Sequence, residues 1–286
     1  MGDFYIVLLS NTPLETDGHI PIRDDPPIIN KISEFVTQLP HPIYLSGEYE
    51  CALCDFSYYH SWNNIQNGEA YIKISYTSDI PLAEIDQIDL YNDHVEYEFD
   101  KNICKLTLKD GYYNSGTQLM ETLNNALEQT SYETKFCFNE ITNKLDIKLR
   151  SGEKIELSEY LAALLGFKSK RFRFMPQIFS DNVTTFVSDN AIDFNLKTHN
   201  MFVYCDILEK TLLGKYYYPL LSIIPTREND TQTYVNKSFT NRHYIPLNSK
   251  TIARIKISIK DDQDELIKFN AGRTLLKLHF RPKIVA

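Results

Sequence analysis

The sequence predicts a mainly β protein, one antiparallel sandwich interrupted by a small α+β insertion. Three observations predict it. Short segments of alternating apolar and polar residues recur along most of the 286 residues, separated by polar turns. Aromatic residues make up 13% of the chain, with 19 Tyr and 16 Phe but one Trp, and such side chains favour half-buried pleated surfaces and protein interfaces. Apolar residues fall at helical spacing in one region only, from about residue 111 to 168.

Phe4 to Leu9 reads as the opening strand, and the stretch Asn11 to Asn30 that follows holds Pro13, Pro21, Pro26 and Pro27 and reads as an extended arm. Phe35 to Leu39 is a strand candidate, and Tyr49 to Tyr59 is another, introduced by the turn pair Ser46-Gly47. Tyr71 to Tyr76, Gln87 to Leu90, Val95 to Phe99 and Cys104 to Leu108 continue the β pattern. The texture changes after Asp110-Gly111: Ser115 is placed to cap a helix carrying Leu119, Met120, Leu123 and Leu127 on one side. Lys135 to Phe138 and Lys144 to Leu149 flank a turn at Asn139 to Asn143, and a short helix opens at Ser158 and closes at Leu165-Gly166. Strands resume at Met201 to Leu208, Tyr218 to Ile224, Ile252 to Ile259, Leu266 to Phe269 and Thr274 to Phe280. Eight or so strands outside the insert, joined by long connections and with few helices, favour a single jelly-roll sandwich over a parallel α/β sheet. The expected domains are 1-110 with 175-286 for the jelly roll and 111-174 for the α+β insertion.

A formal net charge of -8 works against tight binding to phosphate backbones, so nucleic acid is not expected as a main partner. Phe4 to Leu9 is too short for a secretory core, and no apolar run approaches the length of a membrane span, so synthesis in the cytoplasm is expected. Five cysteines, Cys51, Cys54, Cys104, Cys137 and Cys205, read as reduced thiols rather than a disulfide framework. The three Asn-x-Ser/Thr sequons, at Asn182, Asn229 and Asn236, carry no weight without a leader peptide.

No constellation in the chain announces catalysis. Cys51 and Cys54 lie three apart on an expected strand, which sends them to opposite faces, and no second pair completes a zinc site. The seven histidines never form a His-Glu-x-x-His arrangement, and a nucleophile elbow, a P-loop and a dinucleotide fingerprint are all absent. A dispersed pair of carboxylates is the one enzymatic reading left open. Asp261, Asp262, Asp264 and Glu265 offer hard oxygen ligands to a cation, but lack EF-hand spacing and read as a solvated hairpin turn. Lys168 to Arg173 interleaves cations with Phe172 and reads as a basic linker. The aromatic runs Tyr58 to Trp62 and Tyr216 to Tyr218 fit sandwich core and interface equally well.

The passage Leu45-Ser-Gly-Glu-Tyr-Glu-Cys-Ala-Leu-Cys-Asp-Phe-Ser-Tyr-Tyr-His-Ser-Trp-Asn-Asn64 resembles an "L-x-G-x-W/Y-E-V-x-L-x-E-I-x-Y-P-x-S-W-x-N" passage in the minor capsid, or penton, proteins of Polinton/Maverick elements and adintoviruses. Gly111-Tyr-Tyr, Leu123-Asn-Asn and Leu161-Ala-Ala-Leu-Leu-Gly-Phe167 are similar to that family's central block. Met201 to Asp206, Pro219 to Ile224, His243 to Leu247 and Gly272 to Arg281 resemble its closing strands. The resemblance spans nearly the whole chain in the same order. It departs at Tyr49, where the family has Trp, at His60, where it has Pro, and at Ser222, where it has Arg.

The resemblance implies a homopentamer closing the five-fold vertices of a capsid built from a double jelly-roll major capsid protein, with the virion as its location and assembly in host cytoplasm or nucleus. It implies no cofactor and no reaction centre. Tyr49, Tyr58, Trp62 and Tyr204 are the candidate packing or interface anchors. A competing expectation is an attachment module whose insertion recognises a host receptor or glycan.

Overall fold

The computed structural model describes residues 2–10, 31–76, 92–100, 103–168, 173–174, 183–226 and 234–283. The arm expected at 11–30, the strand expected at 87–90, two of the three sequons and most of the basic linker lie outside the described residues. In chain order the elements are β1 (Phe4–Leu9), β2 (Glu34–Tyr44), β3 (Tyr49–Tyr59), β4 (Tyr71–Tyr76), β5 (Val95–Asp100), β6 (Ile103–Leu108), α1 (Gly116–Glu128), β7 (Lys135–Asn139), β8 (Lys144–Arg150) and β9 (Glu153–Leu157). They continue with α2 (Glu159–Leu164), β10 (Arg173–Phe174), β11 (Val183–Val187), β12 (Asn200–Cys205), β13 (Thr211–Leu213), β14 (Tyr216–Tyr218), β15 (Leu220–Pro225), β16 (Tyr234–Ser238), β17 (Ile245–Pro246), β18 (Thr251–Lys260) and β19 (Leu275–Pro282).

The chain is mainly β and divides into two compact units, Met1–Trp62 with Lys197–Ala286, and Asn63–Leu196. The first unit holds a sheet of order β1-β19-β3-β16, with β17 also on β3, and a second sheet of order β15-β12-β18-β2. β1 pairs with β19, β2 with β18, β3 with β16 and β12 with β15, all antiparallel. First pairs with last, second with second-last, and so on inward, which is one long hairpin wrapped into two sheets: a jelly roll. Alternation explains the wrap. Ile255, Ile257 and Ile259 of β18 turn inward beside Met201, Val203 and Cys205 of the neighbouring β12, while Arg254 and Lys256 face water.

β2 is longer than the sequence pattern predicts, running on through Pro40 and Pro42. As the last strand of its sheet it needs donors on one side only, and residues 39–42 bulge out where Ile252 pairs Ile43 and Arg254 pairs Gln38. The strand expected at Leu266 to Phe269 reduces to a single bridge between Lys260 and Leu266.

The second unit is larger than the insertion expected at 111-174. It takes in β4, β5 and β6, because β4 hydrogen-bonds to β6 and β9 instead of to a strand of the sandwich. Its sheets have the orders β10-β9-β4-β6-β5 and β11-β8-β7. Leu119, Met120, Leu123, Ala126 and Leu127 of α1 are buried in its core with Ile72, Ile74, Ile147 and Leu149. The Ser115 hydroxyl caps α1 by accepting from the Gln118 N–H at 3.1 Å, and Ser158 caps α2 by accepting from Leu161. Gly166 ends α2 at φ +84°, where a Cβ would sit 2.3 Å from the Asn190 carbonyl oxygen.

Candidate assembly surface

Three of the four expected anchors lie inside the jelly roll. Tyr49, Tyr58 and Trp62 are all buried in its core. Tyr58 stacks near Trp62 at 5.9 Å between ring centroids, His60 stacks on Trp62 at 3.9 Å, and Phe269 meets the indole edge-on at 5.5 Å. Tyr49 lies 6.2 Å from Phe4. These rings fasten the ends of β3 to the core. Tyr204 is different: it stands on the outward face of β12, partly exposed, with Tyr218 at 5.7 Å and the Lys260 ammonium 5.8 Å from its ring centre.

Among the described residues of this unit, six of the ten exposed large apolar side chains fall in two places. On β1, Tyr5, Val7 and Leu9 form a row along the outer face, with Tyr5 51% and Val7 52% exposed. The opposite row, Phe4, Ile6 and Leu8, packs on the core. β1 has β19 on one side and, among the described residues, no strand on the other. Its six residues include no charge and no proline, the devices that normally blunt a sheet edge. The second place is the β13–β14 hairpin, which turns at Gly214 (φ +61°) and leaves Leu212, Tyr216 and Tyr217 mostly exposed. Sequence reasoning read β1 as a strand and Tyr216 to Tyr218 as an aromatic run that fits core and interface equally, and the hairpin itself went unread. The usable signal at β1 was that both of its alternating rows are apolar, which one buried face does not require.

A polar cluster sits beside β1. The buried His279 side chain shares a hydrogen bond of 2.7 Å between Nδ1 and the Tyr244 hydroxyl, has Asp3 3.7 Å from Nε2, and lies 4.5 Å from the Tyr5 ring. Arg281 lies over the Tyr244 ring at 3.5 Å and its Nε donates to Glu50 at 2.6 Å. Burial holds the His279 imidazole below its usual pKa; Arg242 and Arg281 push the same way and Asp3 opposes them.

The other sequence candidates are tied up locally. Asp261 closes its own turn by accepting from the N–H groups of Gln263 and Glu265, Asp262 accepts from both the backbone and the side-chain amide of Asn200, and Asp264 pairs with Lys260 at 2.9 Å. These carboxylates point to different partners. Cys51 faces the core and Cys54 does not, as strand geometry requires of residues three apart. Burial pushes both thiols up, which makes them poor nucleophiles. Among the described residues no three His, Cys, Asp or Glu side chains converge as metal ligands, and no helix is long and apolar enough to cross a membrane.

Comparison with solved structures finds similar chains, among them a penton protein. The crystal structure of the selenomethionine-labelled mavirus penton protein aligns with 98% of this chain and 99% of its own, at 13% identity and a TM-score of 0.48. No family model and no curated protein matches the sequence.

Proposed function

We propose that this protein is a structural capsid component that closes the five-fold vertices of an icosahedral double-stranded DNA virus or virus-like element as a homopentamer. The observation that carries the reading is the uncharged edge strand β1, with Tyr5 and Val7 half exposed on a rigid jelly roll. A sheet edge of this kind calls for a partner. The geometry of the sheet favours a second copy. In the order β1-β19-β3-β16 every neighbour is antiparallel, so the two outer strands run in opposite directions. Copies related by rotation about an axis along the strands therefore bring β16 of one beside β1 of the next in antiparallel sense. Such a contact joins two different surfaces, as closed rings require. The order of sequence blocks resembling penton proteins of Polinton/Maverick elements and adintoviruses supports the same role, with the double jelly-roll major capsid protein as the neighbour in the shell.

The test is native mass spectrometry and electron microscopy of the purified chain, alone and coexpressed with its major capsid protein. Five-membered rings are expected. Val7→Lys and Tyr5→Lys should leave a folded monomer by circular dichroism and abolish the rings. A wild-type chain that stays monomeric at high concentration and leaves vertices empty on coexpression overturns the proposal.

A further inference from the structure

On the outer face of the second unit's larger sheet, Lys73 of β4 and Lys105 of β6 are direct partners across the antiparallel ladder. Like charges in that position repel. Both ammonium groups instead lean over the same ring, with Lys73 Nζ 5.4 Å and Lys105 Nζ 5.3 Å from the centre of Tyr71. Lys105 is matched by Glu98 at 2.9 Å. Glu156, the ladder partner of Lys73 on its other side, gives its carboxylate to Arg173 at 2.9 Å. Among the described residues that leaves Lys73 with a ring and no anion. Around the pair lies an open groove of about 460 Å³, whose lining adds Phe99, Asp100 and Ile103 to Tyr71, Lys73, Lys105 and Glu98.

We infer that this groove is a binding site for an anionic oligosaccharide. Each part of such a ligand has a match. The two ammonium groups receive a carboxylate or sulfate through charge-assisted hydrogen bonds, which removes the repulsion between them. Tyr71 and the exposed Ile103, on the same face as Lys105, offer apolar surface to the C–H face of a sugar ring. Glu98 and Asp100 also line the groove and offer acceptors to sugar hydroxyls. A nucleic-acid strand fits less well, because the site offers two cations on a chain of net charge -8 and backbone binding needs several in a row. The inference is independent of the vertex proposal: ring formation is read in a separate experiment, and either can fail without the other.

The experiment titrates the full-length chain at low ionic strength with 3′-sialyllactose, a heparin-derived hexasaccharide, lactose, sodium sulfate and a single-stranded oligonucleotide, followed by calorimetry and by protein NMR. Saturable binding of the sialylated or the sulfated sugar is expected, with lactose weaker; which of the two responds identifies the anionic group. Lys73→Gln and Lys105→Gln should each weaken it by about tenfold, and Lys215→Gln at the turn of the β13–β14 hairpin should not. Lys73→Gln removes the repelling pair without setting a carboxylate opposite Glu156, so it should hold Tm while weakening binding, which separates loss of the site from loss of the fold. No saturable binding to either anionic sugar, binding unchanged in Lys73→Gln, sulfate alone binding as tightly as the sugars, or tighter binding of the oligonucleotide would each overturn the inference.

Discussion

The side-chain amide of Asn64 closes on both backbone groups of Tyr113: its Oδ1 accepts from the Tyr113 N–H at 2.9 Å and its Nδ2 donates to the Tyr113 carbonyl at 2.7 Å. Nδ2 also reaches the Phe194 carbonyl at 3.2 Å, and the neighbouring residue Ile65 bridges to Gly111. One amide thus does the work of a short strand, joining two stretches 49 residues apart in a buried place. Asn124 repeats the device, accepting from the Phe136 N–H and donating to its carbonyl, each at 2.8 Å.

Replacing Asn64 by Ala strands a buried N–H and carbonyl, and should cost about 2–4 kcal/mol in denaturant unfolding of the chain. Asn64→Asp keeps the acceptor and loses the donor, so it should be destabilising as well, by less than Ala at neutral pH. Equal stability of wild type and Asn64→Ala would show that the amide pairing carries no weight.

Glu153 is 1% exposed and fully engaged: Oε1 accepts from the Glu133 N–H at 2.7 Å, while Oε2 accepts from the Thr134 hydroxyl at 2.7 Å and the Arg150 N–H at 3.2 Å. Glu153→Ala leaves all three donors unmatched and should cost about 3 kcal/mol or more. Glu153→Gln keeps one acceptor and turns a second into a donor facing donors, and should cost about 1–2 kcal/mol. The order Ala worse than Gln in chemical denaturation is the check.

At Gly166 a side chain meets both a left-handed backbone and the Asn190 carbonyl. Gly166→Ala should therefore lower stability by about 3 kcal/mol or more, against about 1 kcal/mol for Gly152→Ala, whose surroundings are open and which carries the backbone strain alone. Comparing the two variants by thermal unfolding separates the close approach from backbone conformation, since both glycines have positive φ.

His279 gives the chain a dependence on pH. Because its folded pKa lies below the usual value, the unfolded chain takes up the proton first as pH falls. The stability from a neutral, buried imidazole is complete above about pH 6.5 and declines as pH drops from there through the folded value. His279→Gln should flatten the fall in Tm between about pH 7 and about pH 5. An unchanged profile would place the pH dependence in other groups.

Much of the jelly roll was legible because its strands alternate cleanly: Ile255, Ile257 and Ile259 against Arg254 and Lys256 allow one reading only. The helix at α1 announced itself by its cap and its leucines. β9, β11 and β16 went unread, since Val183-Thr-Thr-Phe-Val and Tyr234-Val-Asn-Lys-Ser have too few apolar residues to show a period; each is recruited by a partner strand already in place. The unit boundary was misplaced for a related reason. β4 looks the same whether it pairs with β9 or with a sandwich strand, because alternation fixes faces and not partners. Tyr49, Tyr58 and Trp62 were legible as packing residues, but their depth in the core depends on Phe269 and Phe4, far away in sequence. The facing of Lys73 and Lys105 was invisible for the same reason, being a property of register.

The pairing of Phe4 with Phe280 means that the opening strand waits for nearly the whole chain to be made. During synthesis the ribosome releases Asn63–Leu196 as an unbroken segment, with every strand partner it needs already present, while β1, β2 and β3 have none of their main ones. The inserted unit is therefore free to mature first, and the jelly roll closes around a nascent chain whose apolar first strand has stayed unprotected the longest.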